Sequence, residues 1–178
     1  ISRLKVDRRS WKLLQVDPVI ELPTHLSFPA YFRENGKVYI YPESTKTGKL
    51  TLYEYDESTG KAQPVRVLCQ APLVDAVIWN FNGMKTIVAT TSPMDNGRVL
   101  DIYPYHDNSV TEKGVPVERI TFDDRIARNA GMPFEIGNRS FRPAQNCARH
   151  YGECVIIQEV LEVDGKFQFK EVNRFYSP

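Results

Sequence analysis

Apolar and polar positions alternate over short stretches of this chain. Lys37-Val38-Tyr39-Ile40-Tyr41, Leu50-Thr51-Leu52-Tyr53-Glu54-Tyr55, Ala76-Val77-Ile78-Trp79-Asn80-Phe81, Met84-Lys85-Thr86-Ile87-Val88-Ala89-Thr90 and Cys154-Val155-Ile156-Ile157 have a period of two or are continuously β-favouring. Period two puts successive side chains on opposite faces of a strand, where aromatic and β-branched residues pack well. Between these stretches lie Asn35-Gly36, Thr47-Gly48, Asn82-Gly83, Asn96-Gly97 and Asp164-Gly165. Asn-Gly and Asp-Gly readily supply the positive φ of tight hairpin turns. The best helical candidate, Asp123 to Ala130, is short and lies between strand segments. The pattern predicts an all-β chain.

The pattern also repeats. Tyr31 to Ile40 reads strand, tight turn, strand; Ile78 to Ile87 reads the same way, and Met132 to Phe141 is a looser third copy. Each is followed by a further strand pair: Lys49 to Tyr55 with Gln63 to Leu68, Val99 to Tyr105 with Val115 to Phe122, and Glu153 to Glu162 with Lys166 to Asn173. Four antiparallel strands in roughly 45–50 residues is the period of propeller blades. The expected fold is one domain over 1–178, a partial five-bladed β-propeller of about three and a half blades. Segment 1–22 supplies outer strands of an earlier blade, and 23–70, 71–122 and 123–178 form successive blades. Such a count does not close a ring, so the expectation is a missing N-terminal segment or a second chain that completes it. A sandwich of hairpins is the alternative.

Composition narrows the function classes. Twenty-three basic against twenty-two acidic residues give a net charge of +1 over 178 residues, which removes the electrostatic case for a nucleic-acid partner. No apolar run has the length of a membrane span, and the first residues are not a signal peptide. Cytoplasmic is the default location. Cys69, Cys147 and Cys154 lack zinc-site spacing and read as reduced, mostly buried thiols. No metal or cofactor is expected. Asn138-Arg139-Ser140 has the spelling of a glycosylation acceptor, whereas Asn108-Ser109-Val110 does not.

In a propeller, inner strands and the loops leading into them line a central hollow, where a ligand finds polar side chains. Four clusters meet that description: Thr24 to Pro29, Tyr41 to Ser44, Leu73 to Ala76, and Phe141 to Gly152. Shifting by the repeat puts Glu43 and Gln145 at matching positions.

These residues resemble the five-bladed propellers related to glycoside hydrolase family 43. The resemblance is nearest to the propeller domain of glucosamine inositolphosphorylceramide transferases and of bacterial formyltransferase-like proteins. It rests on His25-Leu26-Ser27-Phe28-Pro29, on Pro42-Glu43-Ser44, on Val74-Asp75, and on Arg142-Pro143-Ala144-Gln145-Asn146-Cys147 with Tyr151-Gly152. Asp75 precedes Ala76 where that pattern has Pro, Asn146 replaces an Asp, and His150 replaces an Arg. The resemblance implies a carbohydrate ligand in the channel. Inverting hydrolysis of a glycosidic bond would use one protonated and one ionised carboxyl about 6.5–9.5 Å apart, with Glu43 as the acid, Asp75 orienting it or tuning its pKa, and the general base in the missing N-terminal piece. His25, Ser27, Arg142, Gln145, Asn146, Arg149 and Tyr151 would bind substrate. The plainer alternatives are a solvated turn residue for Glu43, a turn cap for Asp75, a structural role for His25, and loop-holding ion pairs for Arg142 and Arg149. A non-catalytic glycan or glycolipid recognition domain serving a sugar transferase is the second function class, and a scaffold for protein contacts the third.

Overall fold

A computed structural model describes residues 1–94, 97–107 and 111–176. Asn96 of one expected turn and the Asn108-Ser109-Val110 triplet lie outside the described residues. Strands β1 (Ser2–Val6) and β2 (Leu13–Pro18) form a two-stranded ribbon. Three four-stranded antiparallel meanders follow. The first holds β3 (Ser27–Glu34), β4 (Lys37–Glu43), β5 (Leu50–Asp56) and β6 (Lys61–Cys69). The second holds β7 (Leu73–Phe81), β8 (Met84–Thr91), β9 (Val99–Pro104) and β10 (Glu118–Thr121), and the third β11 (Phe134–Ile136), β12 (Arg139–Asn146), β13 (Cys154–Val163) and β14 (Lys166–Tyr176). The fold is all-β and propeller-like, with no closed barrel among the described residues. The single helical element described is a 3-10 turn at Thr45–Thr47.

Turn chemistry sets the hairpins. Asn35-Gly36 (φ 50° and 76°), Asn82-Gly83 (49° and 79°) and Asp164-Gly165 (53° and 72°) have the two consecutive positive φ values of a type I′ turn, whose twist matches that of the flanking strands.

The sheets pack in series, and each interface is a separate core. Tyr41, Leu50, Leu52 and Leu68 of the first sheet meet Ile78, Ile87, Ala89 and Tyr103 of the second. From the opposite face of the second sheet, Val77, Trp79, Val88, Leu100 and Ile102 meet Val160 and Phe167 of the third. Burial on both faces accounts for β7 and β8 reading as near-continuous apolar runs. The ribbon's end joins the first sheet through Val19, Ile20, Tyr53 and Ala62. Along the ribbon itself Leu4 pairs with Val16 and Val6 with Leu13, and all four are exposed.

Two expected strands come out shorter. β10 begins at Glu118, and β11 covers three residues because 123–133 takes an irregular path rather than helix or strand. That path touches β12 through an isolated bridge between Asn129 and Ala144. The first sheet also touches the segment that leads into the third, where the Tyr41 hydroxyl donates to Met132 Sδ at 3.7 Å, and the same hydroxyl accepts from the Ile78 amide of the second sheet at 3.1 Å.

Candidate functional site

Corresponding bulges interrupt β3 and β7. Pairing with the neighbouring strand shifts between Ser27 and Ala30 in one and between Val74 and Val77 in the other. The bulged residues, Phe28 (φ 43°) and Asp75 (φ 49°), both have left-handed backbone. A bulge re-aims a side chain out of the alternation of its strand. Phe28 thereby packs against both large cores, and Asp75 turns its carboxylate into the region where the sheets converge.

Asp75 is the hub of the cluster. Its backbone N–H donates to Glu43 Oε2 at 3.1 Å, and its carbonyl accepts from Asn129 Nδ2 at 2.7 Å. Its Oδ2 accepts from Arg128 Nε at 2.7 Å and from Gln145 Nε2 at 3.2 Å. Each sheet contributes: Glu43 from the first, Asp75 from the second, Gln145 from the third, with Arg128 and Asn129 from the segment before β11. Burial pushes the Asp75 carboxyl above the usual carboxylate range, opposed by the hydrogen bond and charge of Arg128 and by the charge of Arg142. Burial also disfavours the charged form of Arg128, but Asp75 outweighs it and holds the guanidinium above its ordinary value. The pair is an internal ion pair at the edge of solvent.

Glu43, Thr90 and Gln145 stand at one repeat position, each the seventh residue after the second residue of its inner hairpin turn (Gly36, Gly83 and Asn138). Glu43 and Gln145 both reach Asp75. The Thr90 hydroxyl is buried with no hydrogen-bond partner among the described residues. The repeat shift was enough to find Thr90 from sequence. Arg128 and Asn129 carried no such signal, because their segment matches neither the strand nor the helix period.

The other expected binding residues divide. Ser27 lies opposite Glu43 in the β3–β4 pairing. His25 is exposed just ahead of β3 and makes no hydrogen bond or ion pair to the cluster among the described residues. Tyr151 is 73% exposed, with its ring 5.2 Å from the Arg128 guanidinium carbon. Arg142 corrects the expectation of direct ligand contact: it is 0% exposed. Its guanidinium donates to Asn129 Oδ1 at 2.7 Å, to Gln158 Oε1 at 2.6 Å and to the carbonyls of Ala127 and Ile126. It lies against the Phe122 and Phe169 rings, and burial pushes its pKa down to about 9. Arg142 holds Asn129, and Asn129 holds the backbone of Asp75. The Asn146 side chain is buried, and its Oδ1 accepts from the Ala148 amide at 2.9 Å. Arg149 is drawn to Glu153, with a shortest separation of 2.6 Å, the loop-holding pair that sequence gave as its alternative.

Two clefts flank Tyr151. One, of about 450 Å³, is lined by Ala130, Gln145, Tyr151, Val155, Phe175 and Tyr176 among others. The second, of about 330 Å³, is lined by Arg125, Arg128, Cys147 and His150 with Gly97, Ala148 and Tyr151. An aromatic wall with a side-chain amide suits a sugar or cyclic polyol, which presents C–H faces and hydroxyls together. Among the described residues no group of three or more His, Cys, Asp or Glu is placed to hold a metal, and no helix is long and apolar enough to cross a membrane.

A family model described as "Glucosamine inositolphosphorylceramide transferase 1, N-terminal" matches residues 2–177. The chain belongs to this family. It is 30% identical over 154 residues to glucosamine inositolphosphorylceramide transferase 1 of Arabidopsis thaliana, covering 83% of this chain and 20% of the relative. It is 27% identical over 172 residues to the protein of the same name from Oryza sativa subsp. japonica, covering 92% of this chain and 22% of the relative. The chain thus spans about a fifth of the length of the curated relatives it matches. These names overturn the expectation of a hydrolase or glycosidase: the glucosamine inositolphosphorylceramide transferase relatives are named for group transfer. In this chain the carboxylate and backbone of Asp75 bind Arg128, Gln145, Glu43 and Asn129.

Proposed function

We propose that this chain is a non-catalytic recognition module of a glycolipid sugar transferase, receiving the carbohydrate-bearing headgroup in the cleft beside Tyr151. The observation that carries the reading is the Asp75 cluster. Groups from all three four-stranded sheets fix Gln145 and Arg128 where the aromatic cleft begins. In this reading Glu43 and Asp75 position neighbouring side chains, Gln145 meets ligand hydroxyls, and Tyr151 supplies the ring face. The name of the relatives supports a ligand containing glucosamine, inositol, phosphoryl and ceramide parts. We further assign the exposed apolar face of the β1–β2 ribbon to further strands of the same longer polypeptide, a reading supported by the short share of the relatives that this chain spans.

The test is sedimentation with phosphatidylcholine vesicles with and without inositolphosphorylceramide. The chain is expected to bind the vesicles that contain it, and Tyr151→Ala and Gln145→Ala to weaken binding at least about fivefold, a loss of roughly 1 kcal/mol. Equal binding to both vesicle types, or indifference to both substitutions, sinks the reading in favour of a scaffold.

A further inference from the structure

The cleft on the other side of Tyr151 has a different chemistry. Among the described residues its lining carries two guanidinium groups and an imidazole, from Arg125, Arg128 and His150, and no carboxylate. Arg128 engages Asp75 through Nε, so its terminal nitrogens point away from that bond. The Arg125 guanidinium has no ion-pair or hydrogen-bond partner among the described residues. It lies across Gly97, where an added Cβ would stand 2.8 Å from Nε and 2.9 Å from one terminal nitrogen. Gly97 is therefore the residue that lets this side chain lie over the cleft. Two acids close to this region are committed elsewhere: Asp75 to Arg128, and Glu153 to Arg149.

We infer that this cleft binds a phosphoryl group, gripped between Arg125 and Arg128 with His150 at the rim. Planar guanidiniums with spare N–H donors match the oxygens of a phosphate mono- or diester, and partial exclusion of water strengthens each contact. Tyr151 borders both clefts, so a phosphoryl group here is adjacent to a ring seated against Tyr151, Phe175 and Tyr176. The inference rests on the headgroup reading above and deepens it by assigning the anionic part of the ligand. Free phosphate offers the same chemistry, and the experiment separates the two sources.

Cys147 provides a reporter, because it lines the cleft half-buried while Cys69 and Cys154 are buried. The chain is treated with N-ethylmaleimide in the presence of myo-inositol, myo-inositol 1-phosphate or inorganic phosphate, and the rate of single alkylation is read by intact mass. Retention of the other two thiols reports that each variant is folded. Inositol 1-phosphate is expected to slow alkylation at least about fivefold, and Arg125→Gln to raise the concentration needed at least about tenfold. Gly97→Ala, which displaces Arg125 without removing charge, is expected to act in the same direction. Stronger protection by inositol 1-phosphate than by inorganic phosphate supports the cleft as a headgroup subsite; equal protection supports the cleft with free phosphate as its source. Failure of both phosphates to protect, or protection that Arg125→Gln leaves unchanged, overturns the inference. Vesicle binding that persists in that case leaves the headgroup reading standing, and phosphate protection without vesicle binding leaves the cleft and removes the headgroup.

Discussion

Arg142 shows what a buried cation does when no carboxylate touches it. Its guanidinium satisfies two side-chain amide oxygens and two carbonyls in a dry site against two aromatic rings. Removing it leaves those acceptors buried and unpaired, each at about 1–3 kcal/mol. Arg142→Met is therefore expected to lower stability by at least about 3 kcal/mol in urea unfolding, with Arg142→Lys nearly as damaging because one ammonium does not reproduce the planar fork. A loss below about 1 kcal/mol for the Met variant is the result against this account. The residue type was visible in the sequence, yet its role was not. Arginine, glutamine and asparagine crowded near one another fit ligand binding and internal hydrogen bonding equally well, and only burial separates the two.

Elements were far more legible than side-chain roles. Asn-Gly and Asp-Gly turns located the inner hairpins of the first two sheets and the outer hairpin of the third, because positive φ at both turn residues is a strong local constraint. Alternation then fixed the strands between them. The segment 123–133 was illegible for the opposite reason: its path is set by contacts distant in sequence, Asn129 with Asp75 and Val88 and Arg142 with the carbonyls of Ala127 and Ile126. Two glycines of similar backbone angle make the point testable. Gly36 (φ 76°) has open space where a Cβ would stand, whereas at Gly114 (φ 74°) that atom would meet the Gln70 carbonyl oxygen at 2.4 Å. Gly36→Ala is expected to cost about 1 kcal/mol, the strain of the turn alone. Gly114→Ala should cost at least about twice as much, because the 112–114 segment is pinned to the first sheet by the Gln70–Glu112 and Glu112–Leu68 backbone bonds. Thermal melts of the two variants side by side check the order.

At the scale of the molecule, repeat counting recovered the architecture. A recurring hairpin followed by a further strand pair proved to be three meanders stacked in series. The convergence of Glu43, Asp75 and Gln145 followed from that, since residues at related repeat positions reach the same place when sheets pack side by side. The serial packing has a further result. Residues of β7, β8 and β9 alternate between the two large cores, Ile87 and Ala89 facing one and Val88 and Ile102 the other. Amide hydrogen exchange from this middle sheet requires an opening that breaches both interfaces, while β1, β2 and the edge of β14 open by fraying alone. Protection is expected to peak at Val77, Ile87 and Val88 and to fall outward in both directions, so that the Asp75 hub sits in the slowest-exchanging part of the chain while the rims of its two clefts exchange freely.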